Sequence, residues 1–339
     1  MRLKSLLVVP LLWTPSLLAQ NKCVYYPDNN AASGGCNVIP FGTQKSSATW
    51  RNQKYQVLIP ASKISKTPVR ICELSFAPCG TGLRRFDSIV IKMGYSKSAN
   101  LGRLFASNLG KPFKTVLSQK NYAWQNTANT WNPIGLQNDF LYLPQFGNLV
   151  IEVEVRGSDF PRTGRNGFHT GNIPRLFAIS WSTNPPTNGR VSSTAGLKME
   201  LCFDKANYAL FGAGCKGSNA KTPTLSAVGL PKIGKTMTIN LSGAPTPAVP
   251  AVLILSTSNA TPLPADLSSA GAPGCFLYAR PDFLLGVGAV NGKASLKLPI
   301  PNSPSLLCAR FYNQFLVVDS KANKLGLTSS NYGRGLIGN

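Results

Sequence analysis

The chain has 339 residues, of which 43% are hydrophobic and 14% are charged. This balance argues against a disordered chain, and the length exceeds what one hydrophobic core usually serves, so we expect two domains. Lysine and arginine total 35 against 12 acidic residues, which gives a net charge of +23. A charge of this sign favours polyanions as partners, because it raises their local concentration; the alternative is a general adaptation for solubility or cell-surface retention.

The first 19 residues have the pattern of a secretory signal peptide. Arg2 and Lys4 form the positive start, an apolar run follows at 6–18, and Ala19 is the small residue at the cleavage point. The run is shorter than the about 20 apolar residues of a membrane-spanning helix, so we expect export rather than a retained anchor. Removal of residues 1–19 leaves 33 basic and 12 acidic side chains, a net charge of +21. We therefore expect a secreted or cell-surface protein without a transmembrane segment in its mature chain.

Strand patterns dominate the rest of the chain. At 149–156, apolar and charged residues alternate with a period of two, which predicts a strand with one buried face. Similar patterns predict strands at 54–59, 71–77, 89–93, 139–143, 175–181, 198–201, 237–241, 251–256, 275–279, 293–298 and 305–318. Helical spacing occurs at 98–109, where Gly102 weakens it. Many short strands separated by Gly, Pro and Asn turns predict an all-β protein.

The composition changes after Asp204. A glycine-rich connection at 211–219 leads into a second part that is rich in proline and threonine. We expect an N-terminal jelly-roll-like sandwich over 20–204 and a C-terminal immunoglobulin-like β-sandwich over 205–339. The net charge is +12 in the first part and +9 in the second, so the positive charge is not confined to a tail.

Eight cysteines, an even number in an exported chain, predict disulfide bonds. They are Cys23, Cys36, Cys72, Cys79, Cys202, Cys215, Cys275 and Cys308. We predict sequential pairing, which closes local loops, with Cys72 and Cys79 as reduced buried thiols as the alternative. The close cysteine pairs of a zinc site are missing and the chain has one histidine, so no metal or cofactor is expected. A calcium ion held by loop carbonyls is left open.

Two groups of motifs carry a resemblance to a known family. The first comprises the segments 104–109, 116–117, 122–124, 131–137 (Trp-Asn-Pro-Ile-Gly-Leu-Gln), 140–142 and 147–152. The second comprises 263–267 (Leu-Pro-Ala-Asp-Leu), 274–275, 299–304, Gln314, Asp319 and 329–331. Over most of residues 36–339 the chain resembles uncharacterised secreted two-domain β-sandwich proteins of planctomycete-type bacteria. The resemblance implies a jelly-roll-like N-terminal domain and a recurrent C-terminal β-sandwich, and it implies no activity.

The sequence lacks the motifs of an enzyme. His169 is the only histidine, and no Gly-x-Ser-x-Gly element accompanies it. Glu152, Glu154 and Glu200 lie on the predicted wet faces of strands, and the remaining acidic residues lie in loops or near strand ends. The carboxylate pair of a glycosidase is therefore not expected, and we predict a non-catalytic protein. A glycan-acting enzyme is the least favoured alternative.

Two segments are candidate binding sites. The first combines Tyr122, Trp124 and Trp131 with neighbouring amide side chains, the two ingredients of a sugar site; the alternative is that the rings are buried anchors. The second segment, 156–175, is rich in guanidinium groups, which bind carboxylate or sulfate groups in bidentate fashion. Its candidate ligand-binding residues are Arg156, Arg162, Arg165, His169 and Arg175. The alternative for these is a set of solvated loop charges.

The expected function is binding or adhesion to an acidic polysaccharide or another extracellular polyanion. No helix-turn-helix, zinc-finger or RNP motif is present, so no specific nucleic-acid partner is expected. The alternative is a structural component of the cell envelope or extracellular matrix without a specific small ligand. The oligomeric state is left open.

Overall fold

A computed structural model of the protein describes residues 23–42, 48–160, 167–259 and 263–339. The expected signal peptide at 1–19 and the candidate residues Arg162 and Arg165 lie outside this part. Within these ranges the protein is all-β, as predicted. No helix in the described part combines the length and the apolar composition that crossing a membrane requires.

The described residues of the N-terminal part form fifteen strands and two one-turn helices. The strands are β1 (Cys23–Tyr26), β2 (Cys36–Asn37), β3 (Gln53–Ile59), β4 (Val69–Ile71), β5 (Glu73–Phe76), β6 (Gly82–Ser96), β7 (Gly110–Asn126), β8 (Asn132–Pro133), β9 (Phe140–Tyr142), β10 (Asn148–Arg156), β11 (Phe168–Gly171), β12 (Arg175–Ile179), β13 (Arg190–Ser192), β14 (Gly196–Leu197) and β15 (Met199–Cys202). The helices are α1 (Ala48–Arg51) and α2 (Phe105–Asn108). The helix predicted at 98–109 is thus reduced to its last turn, consistent with the weakening effect of Gly102.

Ten further strands follow residue 204. They are β16 (Asn207–Phe211), β17 (Thr224–Val228), β18 (Thr236–Ser242), β19 (Ala248–Ser256), β20 (Ala265–Asp266), β21 (Phe276–Leu277), β22 (Phe283–Val290), β23 (Ala294–Pro299), β24 (Arg310–Val318) and β25 (Leu327–Leu336). Short 3-10 turns occur at Ala61–Lys63, Pro144–Phe146, Ser268–Ala270 and Pro304–Leu306.

One eleven-stranded antiparallel sheet runs through both parts of the chain. Its strand order is β13-β12-β3-β10-β6-β7-β16-β25-β24-β19-β22. The two parts join where Trp124 of β7 pairs with Phe211 of β16. Four-stranded (β1-β15-β5-β8) and three-stranded (β14-β11-β2 and β17-β18-β23) sheets lie beside it. The main hydrophobic core crosses residue 204 as well, since it contains Trp124 together with Tyr278 and Tyr332.

Strand β10 confirms the strand predicted at 149–156, but its polar face is not wet. Glu152 is 5% exposed, because α2 and the residues around it cover this face of the sheet. Gln56 donates a hydrogen bond to Glu152 at 2.7 Å, and the ammonium group of Lys92 lies 3.5 Å away. Glu200 is likewise buried and lies 2.9 Å from Lys205. The predicted exposure of Glu152 and Glu200 is wrong, since alternation along one strand does not show what covers its polar face.

All eight cysteines form disulfides, but the predicted sequential pairing is wrong. The bonds join Cys23 to Cys202, Cys36 to Cys79, Cys72 to Cys308 and Cys215 to Cys275. The alternative of reduced thiols at positions 72 and 79 is also wrong. The sheet explains one of the long-range bonds, because pairing of β1 with β15 places Cys23 directly opposite Cys202. The 72–308 bond spans 236 residues and joins the two parts of the chain.

Candidate functional site

The rings of Tyr122 and Trp124, which were candidates for a sugar site, lie in the hydrophobic core. Both residues are 1% exposed. The Tyr122 hydroxyl donates to the carbonyl oxygen of Ile134, and Nε1 of Trp124 donates to that of Pro133 at 2.9 Å. The Trp124 ring stacks on Phe168 with the centroids 5.4 Å apart. Burial leaves neither ring available to a sugar, and the polar atom of each is already bonded within the fold.

Trp131 is half-buried and contacts Tyr25 of β1. The two ring centroids are 5.4 Å apart, and the ring planes are inclined by 42°. Tyr25 lies opposite Glu200 in the β1–β15 pair. Burial raises the pKa of Tyr25, and the negative charge of Glu200 raises it further, whereas Lys205 opposes the shift. The hydroxyl therefore stays protonated at neutral pH.

Tyr25 lines an open groove of about 820 Å³ between the N-terminal and C-terminal parts of the chain. Three lysines from separate segments, Lys63, Lys205 and Lys232, line the same groove, and we call it the lysine groove. Lys63 follows β3, Lys205 follows β15, and Lys232 precedes β18. The other lining residues are Cys23, Val24, Asp28, Asn29, Ala206, Leu230 and Asn339.

The charges of the lysine groove are not balanced. Asp28 is paired with Lys198 at 2.8 Å, and the hydrogen bond from Lys198 lowers the pKa of Asp28, so this carboxylate is ionised and already engaged. Lys205 is paired with the buried Glu200. Lys63 and Lys232 are exposed, and neither forms a salt bridge within the described part of the chain. The groove therefore presents two ammonium groups that have no acidic side-chain partner among the described residues.

Arg156 lies in a separate cleft of about 470 Å³, together with Arg51 and Trp181. The guanidinium carbon of Arg156 is 4.8 Å from the centroid of the Trp181 ring, and Nη2 is 3.2 Å from Oε1 of Glu154. Nη2 of Arg51 is 3.6 Å from Oδ2 of Asp87. Each arginine of this cleft thus has a carboxylate partner, so the cleft offers less positive charge to a ligand than the lysine groove.

Asp87 also lines an adjoining cavity of about 300 Å³, in which Asp159 and Tyr278 lie. Gly157 lets Asp87 approach the backbone closely: its φ is +63°, and a Cβ there would lie 1.9 Å from Oδ2 of Asp87. Two carboxylates beside one cavity are an arrangement that glycoside hydrolysis uses, and the sequence did not predict it. Arg51 compensates the charge of Asp87 from the neighbouring cleft.

His169 lies on β11 and is 4% exposed. Its Nε2 donates to Oδ1 of Asn129 at 2.8 Å. The sulfurs of Cys36 and Cys79 lie within 4.8 Å of one of its ring nitrogens, but they are joined in a disulfide and offer no thiolate to a metal. The same holds for the only other group of three metal-ligating side chains in the described ranges, which contains the Cys23–Cys202 disulfide and Glu200.

Arg175 does not join Arg156 in one cavity. It lies on β12, is 7% exposed, and its guanidinium carbon is 4.7 Å from the centroid of the Phe177 ring. Of the predicted ligand-binding residues that the structure describes, Trp131 is the one beside the lysine groove, through its contact with Tyr25. The three lysines that form the groove were not identified from the sequence.

No protein-family model matches the chain, and a search of curated proteins finds no similar one.

Proposed function

We propose that this protein binds an anionic extracellular polymer, with acidic polysaccharide as the preferred class, in the lysine groove. The observation that carries the proposal is the pair of ammonium groups, Lys63 and Lys232, that line an open groove without acidic partners in the described part of the chain. Ammonium groups attract carboxylate and sulfate groups as point charges. The ring of Tyr25, supported by Trp131, adds an aromatic surface beside them.

The charge of the whole chain supports a polymer over a small ligand. A net charge of +23 gives a field that steers polyanions toward the protein. This long-range part weakens with salt, since the screening length is about 10 Å at 0.1 M ionic strength. A polymer places several charged groups near the groove at once, so its apparent affinity exceeds that of one acidic sugar.

We propose further that the protein is exported and has a non-catalytic role at or beyond the cell surface. Four disulfides are consistent with an oxidising, non-cytoplasmic location. We also propose the finer arrangement that the resemblance to the planctomycete-type proteins implies, with a jelly-roll-like sandwich over 20–204 and an immunoglobulin-like sandwich over 205–339. The continuous eleven-stranded sheet supports close packing of these two sandwiches.

The test compares two double charge reversals with the same change in net charge. K63E/K232E alters the lysine groove, whereas K293E/K297E alters two exposed lysines next to and within β23. Binding to a polyuronate, a sulfated polysaccharide, a neutral glycan and duplex DNA is measured at low and high salt. We expect K63E/K232E to lower the affinity for an acidic glycan at least about tenfold more than K293E/K297E, because only the first pair faces the groove.

Equal losses in the two variants, or equal binding to every polyanion that disappears at high salt, would reduce the interaction to non-specific charge attraction. Release of shortened glycan during the assay, abolished by Asp159→Asn, would replace the binding role with an enzymatic one in the Asp87–Asp159 cavity.

The edge strand β22 favours the alternative function, a structural component that assembles with its own copies. It pairs with β19 on one side and has no strand on the other side within the described ranges. Its eight residues carry no charge, and Phe283, Leu284 and Val290 are about 60% exposed. An apolar strand edge without charged residues is a template for pairing with another chain.

Sedimentation velocity over a range of concentrations tests this alternative. Assembly through β22 predicts larger species in the wild type that Leu284→Lys removes, because a charged group opposes strand pairing. A monomer at all concentrations would refute the alternative and favour the binding function.

A further inference from the structure

Strands β12 and β13 bring two arginines to one face at the edge of the eleven-stranded sheet. In their antiparallel pairing, Arg175 lies opposite Ser192 and Phe177 lies opposite Arg190. Residues directly opposite each other, and residues two apart on one strand, share a face of the sheet. Arg175 and Arg190 are therefore diagonal neighbours on the same face, and Phe177 is a neighbour of both on that face.

The guanidinium group of Arg175 is buried without a hydrogen-bond partner on two of its nitrogens. The residue is 7% exposed, and neither Nε nor Nη1 has a partner within the described part of the chain. One face of the group rests on Phe177, which covers it without accepting a hydrogen bond. Buried guanidinium nitrogens are normally hydrogen-bonded, because withdrawing a charge from water without a partner is costly.

The surroundings of Arg175 add positive rather than negative charge. Burial lowers the pKa of Arg175, the Tyr55 hydroxyl opposes this shift, and the charge of Arg190 adds to it. The arginine ion pairs of the described ranges involve other arginines, so neither Arg175 nor Arg190 has an acidic partner there. Two like charges therefore lie at one strand edge, one of them buried and incompletely bonded, and neither has a carboxylate partner in the described ranges.

We propose that Arg175 and Arg190 form a notch that binds one oxyanion group, a sulfate or a carboxylate, with the buried Arg175 as the anchor and the exposed Arg190 as the second arm. Guanidinium nitrogens match the oxygens of such groups with two parallel hydrogen bonds. A group bound at either edge of the guanidinium would accept from Nη2 together with one of the two orphaned nitrogens, Nε or Nη1.

The notch is independent of the proposed polymer site, since neither arginine lines the lysine groove. It is also distinct from the Arg156–Trp181 cleft. Trp181 lies beyond the opposite end of β12, and the four residue-to-residue steps from Arg175 to Ile179 alone extend the strand by about 13 Å. The source of the oxyanion is either an inorganic ion or the acidic group of a sugar.

Thermal unfolding in sulfate tests the notch. Chloride is replaced by sulfate at constant ionic strength for the wild type, Arg175→Met, Arg190→Met and the matched control Arg103→Met, an exposed arginine without an ion pair in the described ranges. Sulfate stabilises proteins in general, so the difference between variants is the signal. We expect the wild type and R103M to gain the same increase in Tm, and R175M and R190M to gain less, with sulfate binding at least about tenfold weaker in R175M.

An equal increase in all four proteins would overturn the proposal. If R175M does not fold, R190M and Arg175→Lys decide the matter, since the lysine variant keeps the charge but loses the paired donors. Galacturonate and a sulfated monosaccharide replace sulfate in a second arm: stabilisation by these sugars assigns the notch to a glycan, and stabilisation by sulfate alone assigns it to an inorganic ion. K63E/K232E keeps the sulfate response, so failure of the lysine groove and failure of the notch are distinguishable.

Discussion

Glu73 and Arg334 form a buried ion pair that joins β5 to β25 across 261 residues of sequence. Nη1 of Arg334 donates to Oε2 of Glu73, and the two side chains are 2% and 1% exposed, respectively. Nε and Nη2 of Arg334 donate to the carbonyl oxygen of Leu136 at 3.1 and 2.7 Å. The guanidinium group is thus bonded on three nitrogens, and it links the end of the chain to a strand of the N-terminal part.

Arg334→Met is expected to lower the free energy of unfolding by about 3–5 kcal/mol, because it leaves the Glu73 carboxylate buried without a partner. Urea unfolding monitored by circular dichroism measures the change. Arg280→Met is the control, since the Arg280–Asp282 pair is exposed, and it should leave the free energy of unfolding nearly unchanged. Similar losses in the two variants would show that burial does not distinguish these pairs.

The free energy of unfolding should fall between pH 10 and 12, because Tyr55 is buried as the protonated phenol. Burial raises the pKa of Tyr55 to about 12, and its hydroxyl oxygen accepts a hydrogen bond from the backbone nitrogen of Leu197 at 3.0 Å. Because an unfolded tyrosine ionises near pH 10, this contribution is complete below pH 10 and is lost as the pH rises toward 12, at about 1.4 kcal/mol per pH unit. Urea unfolding at several pH values, compared with Tyr55→Phe, measures the slope. An identical slope in the variant would refute the assignment to Tyr55.

Substitution of Trp124 should mainly lower stability, whereas substitution of Trp131 should mainly weaken glycan binding. Trp124→Ala is expected to cost about 3–5 kcal/mol of unfolding free energy, because it opens a cavity in the core, whereas Trp131→Ala should cost less. Trp131→Ala should weaken binding of an acidic glycan, because Tyr25 loses its supporting ring. The milder Trp124→Phe serves as the control that folds, and its affinity should match the wild type. Weaker binding in Trp124→Phe than in Trp131→Ala would contradict this division.

The disulfide between Cys72 and Cys308 should contribute more stability than that between Cys215 and Cys275. Its loop spans 236 residues rather than 60, and a longer loop restricts the unfolded chain more. We expect C72S/C308S to lower the free energy of unfolding by about 2–5 kcal/mol, and C215S/C275S by somewhat less. Unfolding without reductant provides the comparison, and peptide mapping without reductant checks the pairing. Recovery of linked Cys23–Cys36 peptides would contradict the structure.

The sequence predicted the strands whose alternation is local, such as β10 and β18, because one buried face imposes a period of two on each of them. It missed β7, the longest strand with 17 residues in the described ranges. Lysines, glutamine and asparagine are spread along β7, and several of them are exposed, so the apolar positions do not form an uninterrupted alternation. The hydrogen-bonded pairing with β6 determines this strand, and that pairing is not visible in the sequence of β7 alone.

The candidate site was harder to predict than the fold, because its residues meet only in three dimensions. Lys63, Lys205 and Lys232 come from segments that are far apart, and none has a local motif. The aromatic spacing at 122–131 predicted a sugar site, yet it reflects core packing for Trp124 and a contact with Tyr25 for the half-buried Trp131. The predicted disulfide pairing was wrong for the same reason. Loop closure favours cysteines that are close in sequence, whereas the sheet brings Cys23 next to Cys202.

The two longest disulfide loops overlap. One spans Cys23 to Cys202 and the other spans Cys72 to Cys308. A protease that cuts the backbone once, anywhere between Cys23 and Cys308, therefore yields two fragments that remain covalently joined. A protein nicked within this range keeps both fragments linked until a reductant is added, so a single cleavage there releases no part of the chain.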